Sequence, residues 1–201
     1  MKLKPLILVP VAVSALVLAG CSSDDSSTDS TPTGLTNTSD SADGAAEDTS
    51  TCPTEKPAST TQADWVFQGT KGSIEVVAPT AENAPLITVN GKFAVDETSV
   101  KTLVPGTGAE VTTSSFVTFC YSGVTGRDGS TFDDSFSRGA PISYPATQLV
   151  PGFTKALVGQ KVGAKVAVAV SPSDGYPSGT PDGKIQPGDS IVFALSILDA
   201  S

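Results

Sequence analysis

Tyr121 and Asp133 are the polar side chains of this sequence that most suggest chemistry, because an alternating strand and the start of a second one carry them on either side of one tight turn. Both lie in Phe116 to Phe136, FVTFCYSGVTGRDGSTFDDSF. Side chains alternate along a strand, so Val117, Phe119 and Tyr121 share one sheet face and Phe116, Thr118 and Cys120 the other. Gly126-Arg127-Asp128-Gly129 then reverses the chain, and Phe132 and Asp133 restart an extended segment. A phenol and a carboxylate delivered together in this way can line a ligand pocket and hydrogen-bond what enters it. They have no histidine to work with. The chain contains no His, which excludes Ser-His-Asp and Cys-His catalysis and removes the commonest metal ligand.

The elements that must hold this stretch can be read on either side of it. Val100 to Val104 alternates as a strand, followed by the turn Pro105-Gly106-Thr107-Gly108. Ile142 to Tyr144 is a short extended piece. Pro151 suits the first turn of a helix, predicted from about Gly152 to Val158, with Phe153, Ala156 and Leu157 on its apolar face and Gly159 as its stop. Lys165 to Val170 and Ser190 to Leu198 are further strands, the latter with Ile191, Phe193, Leu195 and Ile197 on one side. Ser171 to Gly188, between them, is dense in Pro and Gly. Strands with a single helix before the last two do not make a βαβ array. The pattern predicts an α+β fold, an antiparallel sheet wrapped around one short helix.

The N-terminal third has a different composition. Lys2 and Lys4 precede an apolar run from Leu6 to Ala19, the pattern of a secretory signal at residues 1–20, and too short to span a bilayer well. Leu18-Ala19-Gly20-Cys21 resembles a bacterial lipobox, which implies lipidation of Cys21 by fatty acyl groups such as palmitate. The resemblance further implies a protein outside the cytoplasm, anchored to the cell membrane. Residues 21–61 are Ser, Thr, Asp, Gly and Ala with few large apolar side chains, so they are expected to form a disordered acidic tether. Residues 62–97 read as a small β-rich extension: Trp65-Val66-Phe67, a strand from Ser73 to Ala78, and two short strands in Leu86 to Val95 turning at Asn90-Gly91, a type I′ hairpin signal. The remaining domain is 98–201. The formal charge of −9 and pI near 4.3 argue against nucleic acid as a partner.

Beyond single residues there is an ordered set of motifs. Cys120-Tyr121-Ser122-Gly123, the Asp128-Gly129 turn, Thr131-Phe132-Asp133-Asp134-Ser135, Leu149-Val150-Pro151-Gly152-Phe153, Val162-Gly163, Ser171-Pro172, Gly175-Tyr176 and Pro187-Gly188-Asp189 follow one another as in FKBP-type peptidyl-prolyl cis/trans isomerases. The chain resembles that family from about Thr98 to Asp199. The resemblance implies an FKBP-like fold and catalysis of rotation about Xaa-Pro bonds in folding secreted or cell-envelope proteins. It implies catalytic roles for Tyr121, Phe132, Asp133, Val150, Phe153, Tyr176 and Phe193, and substrate-binding walls from Ile142, Leu149 and Ile185. In that arrangement Phe153 is the floor and Asp133 an acceptor held by the Tyr121 hydroxyl, while the Val150 N–H and Tyr176 hydroxyl donate to a substrate carbonyl. Taken singly, Phe132, Val150 and Phe193 read more readily as core residues, and Asp133, directly after an inward Phe, more often as a turn cap.

The implied partners are proline-containing polypeptides and macrolides such as rapamycin or FK506, with no cofactor, no metal and a monomeric state. Three departures bear on activity: Phe153 stands where the family usually has Trp, Ile142 where an aromatic is common, and Pro181 where His is frequent. Two other readings stay open, a lipid-anchored proline-segment binding or holdase module with little turnover, and a surface adhesin using residues 65–95. With Cys21 lipidated, Cys52 and Cys120 form an even pair in an oxidising compartment, readable as a disulfide or as two free thiols. Since Cys120 points opposite to Tyr121, a bridge is expected to fasten the extension across the back of the sheet, away from the pocket.

Overall fold

The computed structural model describes residues 51–201. The expected signal segment, Cys21 and the tether as far as residue 50 lie outside the described residues.

Trp65–Gln68 (β1) and Lys71–Val77 (β2) form an antiparallel hairpin, and Leu86–Ala94 (β3) completes a three-stranded sheet in the order β1-β2-β3. The Asn90-Gly91 pair does not reverse the chain, as its hairpin signal predicts, but lies inside β3. Ser73 pairs with Asn90 and Lys71 with Ala94, so Gly72 faces a bulge in which Gly72 (φ 60°) and Gly91 (φ 76°) both take the left-handed conformation. The bulge re-aims the strand end and delivers Phe93, 2% exposed, to the core.

The second sheet has six antiparallel strands: Ser99–Val104 (β4), Phe116–Thr125 (β5), Thr131–Asp134 (β6), Ile142–Pro145 (β7), Lys165–Val170 (β8) and Ile191–Ala200 (β9). Its order is β4-β8-β9-β5-β6, with β7 also paired to β5. The helix Pro151–Leu157 (α1) packs on one face. At this length it would not persist alone in water, so burial of Phe153, Ala156 and Leu157 is what holds it. Pro151 opens it and Gly159, at φ 84°, follows its end.

Strand β8 is buried at every position and β9 through Leu198, because the sheet is covered on both faces. On the front, Val117, Phe119 and Tyr121 of β5 join Val166, Val168 and Val170 of β8 and Ile191, Phe193, Leu195 and Ile197 of β9 beneath α1. On the back, Val124, Ala167, Ala169, Val192 and Ala194 pack against Ile74, Val76, Phe93 and Val95, with Trp65 and Phe67 at the margin. Small residues at 167, 169 and 194 bring the three-stranded sheet close.

The other end of the back face is covered by residues 51–55. Cys52 is bonded to Cys120, and both are buried with Ala84, Phe136 and Leu198. The Cys52 N–H donates to the Gly139 carbonyl at 3.2 Å and the Ala84 N–H to the Glu55 carbonyl at 2.6 Å. This corrects the expected tether boundary, since residues 51–55 already lie against the domain. Composition read them as unable to order themselves, and it takes a disulfide and backbone bonds to fixed loops to place them.

Candidate functional site

The cleft is built where β5, β6, β7 and the start of α1 converge. Strand parity puts Phe119 and Tyr121 on its side of β5, as the alternation predicts. Strand β6 presents two consecutive residues to it, which a regular strand cannot do. The reason is a bulge. Gly123 pairs with Asp133 and Val124 with Thr131, leaving Phe132 as the extra residue between them, so Phe132 and Asp133 both reach the cleft.

The aromatic lining is a connected set. Phe153 sits beneath Phe119 (ring centroids 5.1 Å apart), Tyr121 (5.9 Å) and Phe193 (4.8 Å), and Phe132 meets Phe193 edge-on at 5.4 Å. Gly123 makes this possible. A Cβ there would stand 2.7 Å from both Phe132 Cζ and Phe193 Cε1. Ile142, Leu149, Val150 and Tyr176 complete the walls of a cavity of about 370 Å³.

One polar corner interrupts the apolar surface. The Tyr121 hydroxyl donates to Asp133 Oδ2, and Arg138 Nη1 lies 2.7 Å from Asp133 Oδ1, with Nη2 3.5 Å from the Tyr121 oxygen. Burial pushes the Tyr121 hydroxyl well above the ordinary tyrosine range, and donation to Asp133 adds to it. Partial burial works against ionising Asp133, but the hydrogen bonds from Tyr121 and Arg138 and the Arg138 charge outweigh it and hold its pKa below the usual value. Burial, then the Asp133 charge, also raises Tyr176. Among the described residues, neither the Val150 N–H nor the Tyr176 hydroxyl is engaged in a hydrogen bond, so both donors are available to a ligand.

The loop carrying Tyr176 is tied to the β5–β6 hairpin. Arg127 Nη1 pairs with Asp189 at 2.6 Å, and Lys184 Nζ donates to the Phe132 carbonyl at 3.0 Å. Ile185, expected as a wall, lies instead in the core at 2% exposure. Paired bonds with Thr180, from the Thr180 N–H to the Ile185 carbonyl and from the Ile185 N–H to Thr180 Oγ1, hold its segment of the loop. Three lining residues had no predicted role: Phe119, Arg138 and Tyr144. Phe119 was legible from its parity with Tyr121, and Tyr144 from its alternation with Ile142. For Arg138 the only signal was a cation one short turn after Asp133. Among the described residues, no three His, Cys, Asp or Glu side chains gather as metal ligands.

Such a cleft can hold a neutral amide between aromatic rings, hydrogen-bond its carbonyl and exclude water. Its lining has no Ser, Thr, Cys, Lys or His side chain.

Comparison with known proteins finds similarity to one family over the same stretch. Residues 108–198 match the family model described as FKBP-type peptidyl-prolyl cis-trans isomerase. The FKBP-type isomerase FkpA of Escherichia coli is 36% identical over 73 residues, 36% of this chain and 26% of FkpA. The crystal structure of FkpA aligns at a TM-score of 0.46 with 26% identity, covering 68% of this chain and 51% of that one. A probable FK506-binding protein of Corynebacterium glutamicum is 28% identical over 109 residues, 53% of this chain and 90% of the relative. The outer membrane protein MIP of Legionella longbeachae is 32% identical over 98 residues, 49% of this chain and 42% of MIP. The chain thus spans about a quarter of FkpA and under half of MIP. These matches support the FKBP-type isomerase family, an enzyme family, for residues 108–198. The antiparallel sheet around one short helix is the α+β arrangement that the sequence predicts.

Proposed function

We propose that this chain is a peptidyl-prolyl cis/trans isomerase acting on proline-containing segments of secreted or cell-envelope proteins, and that the cleft around Phe153 is its active site. The observation that carries the proposal is an aromatic-lined cavity with one ordered polar corner, Tyr121–Asp133–Arg138, and two unengaged donors, Val150 N–H and Tyr176 O–H.

Rotation about an Xaa-Pro bond faces a barrier of about 18–20 kcal/mol, because the planar amide is stabilised by a charge-separated resonance form. Water favours that polar form. An apolar cleft favours the twisted, less polar amide, and preferential binding of the twisted state lowers the barrier without breaking a bond. In this reading Phe153 and Phe193 seat the proline ring and the Val150 N–H donates to a substrate carbonyl. Asp133, held ionised by Tyr121 and Arg138, accepts from substrate or faces the displaced carbonyl carbon. FK506-like macrolides, which present a similar amide-like group, fill the same space.

The membrane anchor is part of the same reading and rests on Leu18 to Cys21. A lipid at Cys21 would keep the isomerase at the outer surface of the cell membrane, where newly exported chains emerge.

Exchange spectroscopy of apolar-Pro peptides, or a proline-limited refolding assay, tests the activity directly. The purified chain should accelerate exchange and rapamycin should inhibit it. Rates equal to those in buffer would overturn the proposal.

A further inference from the structure

The turn after β6 wraps around the edge of the sheet and shows a residue to each face. Phe136 is fully buried on the back with Cys52, Cys120 and Leu198, while Arg138, just beyond it, pairs with Asp133 on the cleft side. Residues 51–55 grip this turn from behind. The Cys52 N–H donates to the carbonyl of Gly139, which directly follows Arg138, and Cys52 Sγ lies 3.8 Å from Ser135 Oγ. A Cβ on Gly139 would lie 3.5 Å from Thr54 Cγ2. Ser135, itself fully buried, accepts the Tyr121 N–H on Oγ at 2.8 Å. Cys120, the disulfide partner, immediately precedes Tyr121. The strap therefore reaches both ends of the polar corner, Tyr121 through Cys120 and Ser135, and Arg138 through Gly139.

We propose that Cys52–Glu55, held by the Cys52–Cys120 disulfide, is a positioning element of the cleft: it fixes the Ser135–Ala140 turn so that the Arg138 guanidinium stays on Asp133 and Tyr121. The proposal rests on the cleft being the isomerase site. Alternation alone implied a bridge without effect on the pocket, but the turn carries its effect through the edge of the sheet. When a dithiol reduces the bridge, two electrons and two protons pass to the Cys52 and Cys120 sulfurs and the reductant closes its own disulfide. The strap has a single buried residue, Cys52, so burial alone does not keep it in place. Gly139 then loses its donor, the turn gains freedom and Arg138 occupies the Asp133 site for less of the time.

The test compares the full chain, oxidised and reduced with dithiothreitol, as wild type and as Arg138→Ala. The readouts are peptide kcat/KM and the guanidinium NMR signals of Arg138, taken below a melting transition verified to be cooperative. Reduction should lower kcat/KM by about threefold to tenfold in wild type, the range expected from weakening one charge-assisted pair, and by less than about twofold in Arg138→Ala. The Arg138 Nε–H signal should broaden on reduction. Pro53→Gly, which loosens the strap and keeps the disulfide, should move both readouts the same way, so the test does not depend on the reduced chain remaining folded. Equal losses in wild type and Arg138→Ala, or Arg138 signals unchanged on reduction and in Pro53→Gly, would overturn the proposal. An oxidised wild type without isomerase activity would sink the functional reading instead, and the Arg138 signals would then decide the strap alone.

Discussion

The Tyr121 hydroxyl donates to one oxygen of the Asp133 carboxylate while Arg138 holds the other at 2.7 Å, so the carboxylate is fixed from two sides in a cleft that is otherwise apolar. Because Asp133 is 45% exposed, this arrangement says more about orientation than about stability.

Replacing Asp133 by Val should therefore weaken macrolide binding far more than it weakens the fold. A hydrogen bond to a charged group contributes about 1.5–3 kcal/mol, and partial exposure points to the lower end, roughly tenfold in Kd. Calorimetric titration with rapamycin beside a thermal melt separates the two. A large drop in melting temperature at unchanged affinity would make Asp133 a structural residue.

The pH dependence follows from the same pair. The folded-state pKa of Asp133 is lowered, so its contribution to stability is present above the ordinary Asp value of about 3.9 and is lost as pH falls through the lowered value. Tyr121 is shifted upward, so its contribution is present below about pH 10 and is lost as pH rises toward the folded value. Between about pH 5 and 9 the corner keeps one protonation state, and with no His in the chain kcat/KM should be flat there. A step near neutrality would contradict this assignment.

Gly123→Ala is the sharpest probe of the aromatic lining. Its Cβ would enter the space of Phe132 and Phe193, and overpacking of this kind costs about 1–3 kcal/mol. Activity should fall further than stability predicts, because the displaced rings are cleft walls. A variant that loses stability but retains wild-type kcat/KM below its melting temperature would show that the rings move without closing the site.

Anchoring is tested at Cys21, which lies outside the described residues. Cys21→Ser should release the protein from the membrane fraction, and stable retention of the wild type requires at least two acyl chains, since one binds only marginally. Sedimentation of the variant with membranes would exclude lipidation at this position as the anchor.

Reduction of Cys52–Cys120 should also lower the melting temperature. The bridge spans a sequence separation of 68, for which chain-entropy arguments give roughly 4 kcal/mol. Calorimetry with and without reductant measures the loss, and an unchanged transition would mean that the bridge contributes little net stability.

Sequence periodicity reached the parts governed by local rules. Alternation in β5 set Phe119 and Tyr121 on one face, and Pro151 with Gly159 bounded α1 to within a residue at either end. What it missed depends on contacts between distant segments. Asn90-Gly91 carries a turn signal, yet β2 continues alongside it, and a continuous partner converts a turn into a bulge. Ile185 lies in a loop whose path is set by Thr180 and not by any repeat. Arg138 belongs to the site only because the turn after β6 folds back on Asp133. Residues 51–55 have a disordered composition and are placed by bonds to segments far away in sequence.

The single tryptophan of the chain, Trp65, stacks on Phe67 in β1 at 5.0 Å, whereas the cleft is lined by Phe and Tyr alone among aromatic residues. Tryptophan emission therefore originates in the three-stranded sheet. A macrolide or peptide entering the cleft should leave that emission unchanged, while separation of the sheet from its packing on Val124, Ala167 and Val192 should shift it to the red. The protein thus carries a built-in optical reporter for undocking of its extension, blind to occupancy of the cleft.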